Sequence, residues 1–314
     1  MRRIVVALGG NALVRAGQRG TADEQRANVE LTSSQLADLV ATGYELVITH
    51  GNGPQVGNLL LKNELAREVV PAVPLHWCVA QTQATIGFML QESLGDELRR
   101  RGLDRIVATL VTRTEVSPDD PAWRDPTKPI GLYQPEEHAR AVMAATGQVW
   151  KPQGDRGWRR VVPSPEPVTI VDRRAIEVLM AEGVIVVACG GGGIPVVRRP
   201  DGRFEGVEAV IDKDLAAALL ARELGADLLL ILTDVPYVVL DFGTPEARPL
   251  ELVTVSDLRR YQFDGQFAAG SMWPKVEAAI RFVDRHPERR AVITALDQAR
   301  GAVEGRAGTQ VVAD

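Results

Sequence analysis

Leu46-Val47-Ile48-Thr49-His50-Gly51-Asn52-Gly53-Pro54-Gln55-Val56-Gly57 decides how this chain is read. An apolar, β-like run, Leu46–Thr49, stops at a glycine-rich turn. The turn feeds a helix-like run, Asn58-Leu59-Leu60-Leu61-Lys62. Glycine lets the backbone approach a ligand closely, and a helix N-terminus offers unpaired N–H groups, so such a turn can hold an anion. Tight strand-to-helix turns also use glycine for packing alone, so one turn would not settle the matter.

Three more turns of this kind occur. Gly9-Gly10-Asn11-Ala12 follows Arg3–Leu8, and Gly190-Gly191-Gly192-Gly193-Ile194-Pro195 follows Val184–Ala188. Ala269-Gly270-Ser271-Met272-Trp273-Pro274-Lys275 opens a helix, with Ser271 at the expected N-cap and Pro274 in the first turn, where a missing N–H costs little. None fits G-x-G-x-x-G or G-x-x-x-x-G-K-[ST], which disfavours a Rossmann dinucleotide fold and a P-loop NTPase. The expectation is a phosphate cradle made of several glycine turns gathered at one edge of a sheet.

Apolar strand-like runs alternate with helix-like runs, the pattern of an α/β fold with a mostly parallel sheet covered on both faces. The expected strands are Ile4–Leu8, Leu46–Thr49, Ile106–Val111, Val184–Ala188, Leu228–Leu232 and Val292–Thr294. The expected helices include Glu24–Ala41, Val79–Arg100, Arg173–Ala181, Leu215–Leu224 and Val276–Arg285. Thr21-Ala22-Asp23-Glu24 reads as a capping box. Ser117–Pro167 breaks the rhythm. It is rich in proline and holds three of the five tryptophans, Trp123, Trp150 and Trp158. Tryptophans bury large areas, so this is expected to be an ordered excursion with a small core of its own, placed to act as a lid.

At 314 residues the chain can bury a large core, as one α/β unit or two lobes. A net charge of −5 with no Lys/Arg stripe argues against a nucleic-acid binder. The two cysteines, Cys78 and Cys189, imply no disulfide framework and suit buried thiols in a reducing cytosol. The start runs directly into a strand without a signal-peptide pattern, and no apolar run approaches the roughly 20 residues of a membrane span. A cytoplasmic protein is expected. The four histidines, His50, His76, His138 and His286, have no metal-ligand spacing, and no protein-bound metal is expected.

The chain resembles the carbamate kinases of the amino acid kinase family. The likeness is carried by Ala7–Ala12, His50–Gly57, Asp125–Gly131, Gly157–Pro165, Cys189–Pro195, Glu205–Asp214 and Ala269–Lys275, in the family's order along nearly the whole chain. The glycine turns are common to the wider family. The blocks around Lys128 and Gly157–Pro165 look particular to carbamate kinases. The resemblance implies a three-layer αβα sandwich with a central, mostly parallel sheet of about eight strands and a small protruding subdomain. It also implies a homodimer, and reversible transfer of the γ-phosphoryl of MgATP to carbamate, giving ADP and carbamoyl phosphate. Residues 1–212, including the lid 117–167, would form the acceptor lobe, and 213–314 the nucleotide lobe. Another small-acid kinase of the same fold, or a nucleotide or carbamoyl phosphate sensor without turnover, are the alternatives.

Phosphoryl transfer asks a protein to align donor and acceptor and to neutralise charge in flight. The resemblance gives that work to Lys213, Lys275 and Lys128, with Asp214 orienting lysines. Wider-family relatives carry a lysine two places before the paired glycines of the first turn. Here Ala7 holds that place, and Lys128 from the excursion is expected to supply the missing charge. Gly9, Gly10, Asn11, Gly51, Asn52 and Gly53 are expected to form the acceptor and phosphate pocket, with Gln83 on the following helix. Asp212, Thr233, Asp234, Val235, Gly270, Ser271 and Met272 are expected at the nucleotide, with Trp273 as a further wall. His50 is expected to be structural, because an anionic acceptor has no proton to lose. Mg²⁺ is expected to arrive with the nucleotide and keep its waters.

Overall fold

The computed structural model describes residues 2–15 and 17–314; the Asn11 side chain lies outside the described set. Eight strands build the main sheet: β1 (Arg3–Leu8), β2 (Glu45–His50), β3 (Val107–Thr109), β4 (Ile185–Val187), β5 (Leu228–Thr233), β6 (Leu252–Thr254), β7 (Arg290–Ala295) and β8 (Thr309–Val312). Their order is β6-β8-β7-β5-β1-β2-β4-β3. All neighbours from β7 to β3 are parallel; β8 runs antiparallel to β7, and β6 runs with β8. The sheet is continuous across residue 212, so the two lobes expected from sequence are halves of one sheet.

Side chains alternate across β1. Val5 and Ala7 enter one core layer, and Ile4, Val6 and Leu8 enter the other. The first layer is closed by α4 (Lys213–Glu223) and α5 (Met272–Val283), the second by α1 (Ala22–Ala41) and α3 (Leu75–Arg100). This is the three-layer α/β sandwich that the sequence implies. The capping box forms as read: Thr21 N–H donates to Glu24 Oε2 at 2.9 Å, and Glu24 N–H to Thr21 Oγ1 at 3.3 Å.

The boundaries that differ have local causes. β3 is shorter than Ile106–Val111 because it is an edge strand whose one partner, β4, is itself only three residues long. α3 begins four residues before the expected Val79, at Leu75. Pro74 occupies its N-cap, and Glu208, far away in sequence, accepts the Leu75 N–H at 2.8 Å. α5 opens at Ser271 as expected, yet the serine side chain makes no capping bond.

The excursion is ordered. Lys128–Gln134, Trp158–Val162 and Val149–Pro152 form a three-stranded antiparallel sheet, with a helix over Glu136–Thr146. The expected tryptophan core is absent. Trp123 packs into the main body with Val116, Val197, Ile211 and Ala216. Trp150 meets the edge of His138, at 6.1 Å, and donates to Gln148 Oε1 at 3.2 Å, while Trp158 lies under the Arg140 guanidinium at 5.4 Å. The base of the excursion is docked instead. Ile130 and Val162 share a cluster with Val56 of α2 (Gly53–Ala66) and with Cys78 and Val79 of α3. A Cβ on Gly57 would lie 2.8 Å from Gly131 Cα, so α2 and the inner lid strand touch backbone to backbone. At the exit of the excursion, Asp120 accepts the Glu166 N–H at 2.9 Å, and Arg281 of α5 grips the Glu166 carboxylate. The part that projects freely is the outer hairpin and helix beyond Gly131.

Candidate active site

The carboxyl ends of β1, β2, β4 and β5 reach the same edge of the sheet, which is where open α/β sheets bind ligands. Backbone bonds lock these ends together: Gly9 N–H donates to Leu232 O at 2.8 Å, and Gly51 N–H to Leu8 O at 2.9 Å. The N-termini of α2, α4 and α5 open at this edge, and those of α2 and α5, which have no side-chain cap, offer unpaired N–H groups.

Two aspartates organise three lysines here. Asp214, buried in the first turn of α4, holds Lys213 at 2.5 Å on one oxygen and Lys275 at 3.3 Å on the other. Lys275 also donates to Ser271 O at 3.1 Å, which directs it back toward the start of α5. The Lys213 stem lies over Gly51, where a Cβ would be 3.2 Å from Lys213 Cδ. Burial and then the neighbouring Lys275 lower the Lys213 pKa, against the opposing pull of Asp214. Such a partly desolvated ammonium interacts strongly with an incoming phosphate.

Asp212 does something the sequence reading does not foresee. Its Oδ1 caps α4 by accepting the N–H of Asp214 at 2.9 Å, and its Oδ2 holds Lys128 Nζ at 2.6 Å. Burial pushes this carboxyl upward, but the Lys128 ammonium, with Lys213 behind it, more than reverses that and holds it at about 2. Lys128 has therefore already crossed from the excursion to the lysine cluster. Ala7, where relatives place a lysine, is fully buried in the core layer closed by α4.

The acceptor side is more rigid than the sequence suggests. Gln83 is buried and its amide is spent on Thr112: it accepts the Thr112 N–H at 2.8 Å and donates to Thr112 O at 3.1 Å. It is placed to position that segment, not to meet a substrate directly. Asn52 donates one N–H to Thr82 Oγ1 at 2.9 Å. In the Gly190–Gly193 run, a Cβ on Gly190 would sit 2.3 Å from His50 Nε2, and one on Gly191 2.2 Å from Asn52 Nδ2. These glycines allow close packing behind the pocket and do not line the open cleft. His50 is sealed in, its Nδ1 within 3.0 Å of Gly51 O, and burial lowers its pKa to about 4. It is neutral and structural, as expected.

Beside the lysines lies a cavity of about 750 Å³. Gly9, Gly10, Lys213, Thr233, Asp234, Val235, Gly270, Ser271, Met272 and Lys275 line it, so two of the four glycine turns converge here with the expected nucleotide residues. Asp212 is the exception, being turned to Lys128. Trp273 is another: it packs against the core cluster of α5 and does not line the cavity. The sequence reading missed the outer wall, formed by Tyr237, Val239, Asp241, Phe242, Gln266 and Phe267. The hairpin turn Asp241-Phe242-Gly243-Thr244 was its available signal.

The model of the amino acid kinase family matches residues 2–294. The chain belongs to the amino acid kinase family. Within that family, this kinase is 49% identical over 313 residues to the carbamate kinase of Pyrococcus furiosus, covering 99% of both chains. It is 48% identical over 313 residues to that of Staphylococcus haemolyticus, again covering 99% of both. Among solved structures, the carbamate kinase of Giardia lamblia bound to AMP-PNP superposes with a TM-score of 0.92 at 41% identity, covering 100% of this chain and 99% of that one.

Proposed function

We propose that this amino acid kinase is a carbamate kinase, moving the γ-phosphoryl of ATP to carbamate and back. The observation that carries the reading is Lys128. It comes from the block particular to the resemblance, stands in for the lysine missing at Ala7, and lies 2.6 Å from Asp212, beside the Lys213–Asp214–Lys275 cluster. Near-half identity along the whole chain to carbamate kinases supports it.

In the proposed reaction a carbamate oxygen attacks the γ-phosphorus, the bond to the β-bridging oxygen breaks, and ADP leaves. The acceptor is already anionic, so no base is needed, which agrees with a neutral, buried His50. Lys213 and Lys275 neutralise charge on the moving group, Asp214 fixes both, and Lys128 supplies the positive charge on the acceptor side. Gly10 and Gly53 offer backbone N–H groups, Gly9 and Gly51 let the backbone approach closely, and Asn52, with Asn11 as a further candidate, is assigned to the acceptor. The cavity takes the nucleotide. Residues 1–212 thus serve the acceptor and 213–314 the nucleotide, and the outer lid shields the labile product from water.

Mg²⁺ would come with the nucleotide, held by phosphate oxygens and water, and would neutralise phosphate charge. A homodimer is proposed through α3, where Trp77 and Phe88 stand on one helical face, both 57% exposed, and Phe88 shares a surface groove with exposed Ile106. No described helix is long and apolar enough to cross a membrane, and a cytoplasmic site is proposed.

Phosphorus NMR of ATP, Mg²⁺ and ammonium bicarbonate, whose solutions contain carbamate, tests the reading. ADP and carbamoyl phosphate should appear together. Phosphorylation of acetate or glutamate at equal or greater rates would point to another small-acid kinase; binding of ATP without any turnover would point to a sensor.

A further inference from the structure

The outer wall of the cavity holds a carboxylate that phosphoryl transfer does not use. Asp241 sits where the strand Val238–Leu240 turns toward Arg248–Leu250, at a φ of 52°. A non-glycine residue rarely takes this left-handed backbone, and such strain gathers at functional sites. The turn is held from both sides. Asp241 O accepts from Thr244 N–H at 3.1 Å and from its hydroxyl at 2.8 Å. Gln266 accepts the Asp241 N–H at 2.8 Å and donates to Oδ1 at 3.0 Å. Both amide atoms of Gln266 are thereby spent on orienting one carboxylate, and both residues line the cavity. Among the described residues Oδ2 has no donor and the group has no cationic partner.

A carboxylate in a site for a polyanion needs a reason. Facing phosphate it would repel the ligand. Facing hydroxyls it gains charge-assisted hydrogen bonds, which are stronger than neutral ones. The cavity is polar in this sense. Lys213 and Lys275 mark the wall for phosphate, while Tyr237, Val239 and Phe267 give an apolar wall for a base, next to Asp241. Of the parts of a nucleotide, the ribose diol offers two adjacent donors to a carboxylate with one oxygen free.

We propose that Asp241, positioned by Gln266, is the residue that reads the ribose hydroxyls of the nucleotide and selects ribonucleotides. The proposal rests on the cavity being the nucleotide site. Its polarity also orients the ligand: the carboxylate repels phosphate at this wall and leaves the lysines as the one favourable place for it.

The test is calorimetric titration of the whole protein with Mg·ADP and Mg·2′,3′-dideoxyADP. The wild type should bind ADP about tenfold or more tighter, the usual worth of hydrogen bonds to a charged group. Asp241→Gly, which the left-handed backbone accepts, should bring the two affinities within about twofold. Asp241→Asn keeps the turn and Oδ1, and should lose most of the preference. Gln266→Ala should lose part of it with the carboxylate still present. Equal wild-type affinity for both nucleotides, or a preference that survives in Asp241→Gly, overturns the proposal while leaving the nucleotide site intact. Failure of ADP to bind at all overturns both.

Discussion

Replacing Lys128 by Met and Asp212 by Asn, singly and together, probes the contact that carries the lid lysine into the site. Lys128→Met removes the ammonium and keeps most of the stem. Asp212→Asn keeps an acceptor for the Asp214 N–H, and so the α4 cap, while removing the charge. The two groups are 2.6 Å apart, with side chains 32% and 12% exposed, so solvent screens them incompletely. The Asp212 carboxyl lies at about 2 in place of 3.8 despite its burial, a difference worth roughly 2.5 kcal/mol. Burial opposes that shift, so the favourable contacts together exceed it; Lys128 is the first of them, ahead of Lys213, and is expected to contribute about 2 kcal/mol, the usual worth of a charge-assisted hydrogen bond. Urea unfolding of the four proteins at neutral pH should give a coupling energy near that value. Lys128→Met should be the more damaging single change, because it strands a buried carboxylate. The sign with pH is fixed as well. A carboxyl held below its ordinary value stabilises fully above about 4 and loses that contribution as pH falls toward 2, so the coupling should vanish across that window. Additive losses, with coupling under about 0.5 kcal/mol, refute the reasoning that the excursion is latched to α4 by this pair.

Lys213→Met and Lys275→Met should each lower kcat by two orders of magnitude or more, about 3 kcal/mol, and change ADP affinity much less, since their charges matter most while the phosphoryl group moves; stopped-flow turnover beside calorimetric Kd checks this. Burial pushes the Cys189 thiol up to about 12 and raises that of Cys78, so mass spectrometry after mild iodoacetamide treatment of the native protein at pH 8 should find both unmodified, with activity unchanged. His50, ordinarily near 6.5, is lowered to about 4 by burial; its contribution is complete above 6.5 and is lost as pH falls to 4, by roughly 3 kcal/mol. A His50→Gln variant that folds should show a flatter stability curve over that interval.

Much of this arrangement is legible in the chain because it is local. The apolar runs of β1, β2 and β5 are buried on both faces, so they read as strands, and the capping box at Thr21 announces α1. The turns after those strands, together with the start of α5, identify the edge where the site forms. What the chain hides depends on distant partners. α3 starts early because Glu208 caps it. Gln83 looks free for a substrate until Thr112 takes its amide. Asp212 reads as one acid beside Lys213, and its tie to Lys128 exists only after the excursion folds back. Three tryptophans suggest a lid core, but Trp123 is claimed by the main body. The glycines of 190–193 look like a phosphate loop, yet His50 and Asn52 lie against them. Asp241 and Gln266 are 25 residues apart and show no relation in sequence until two hydrogen bonds join them.

The most direct measurement is the initial rate of ATP formation from ADP, followed with luciferase, for wild type and Lys128→Met, with carbamoyl phosphate or acetyl phosphate as donor. ATP should form rapidly from carbamoyl phosphate and much more slowly from acetyl phosphate, and Lys128→Met should lose most of the carbamoyl phosphate rate while ADP binding persists. Equal rates from the two donors, or a Lys128→Met protein as fast as wild type, would contradict it.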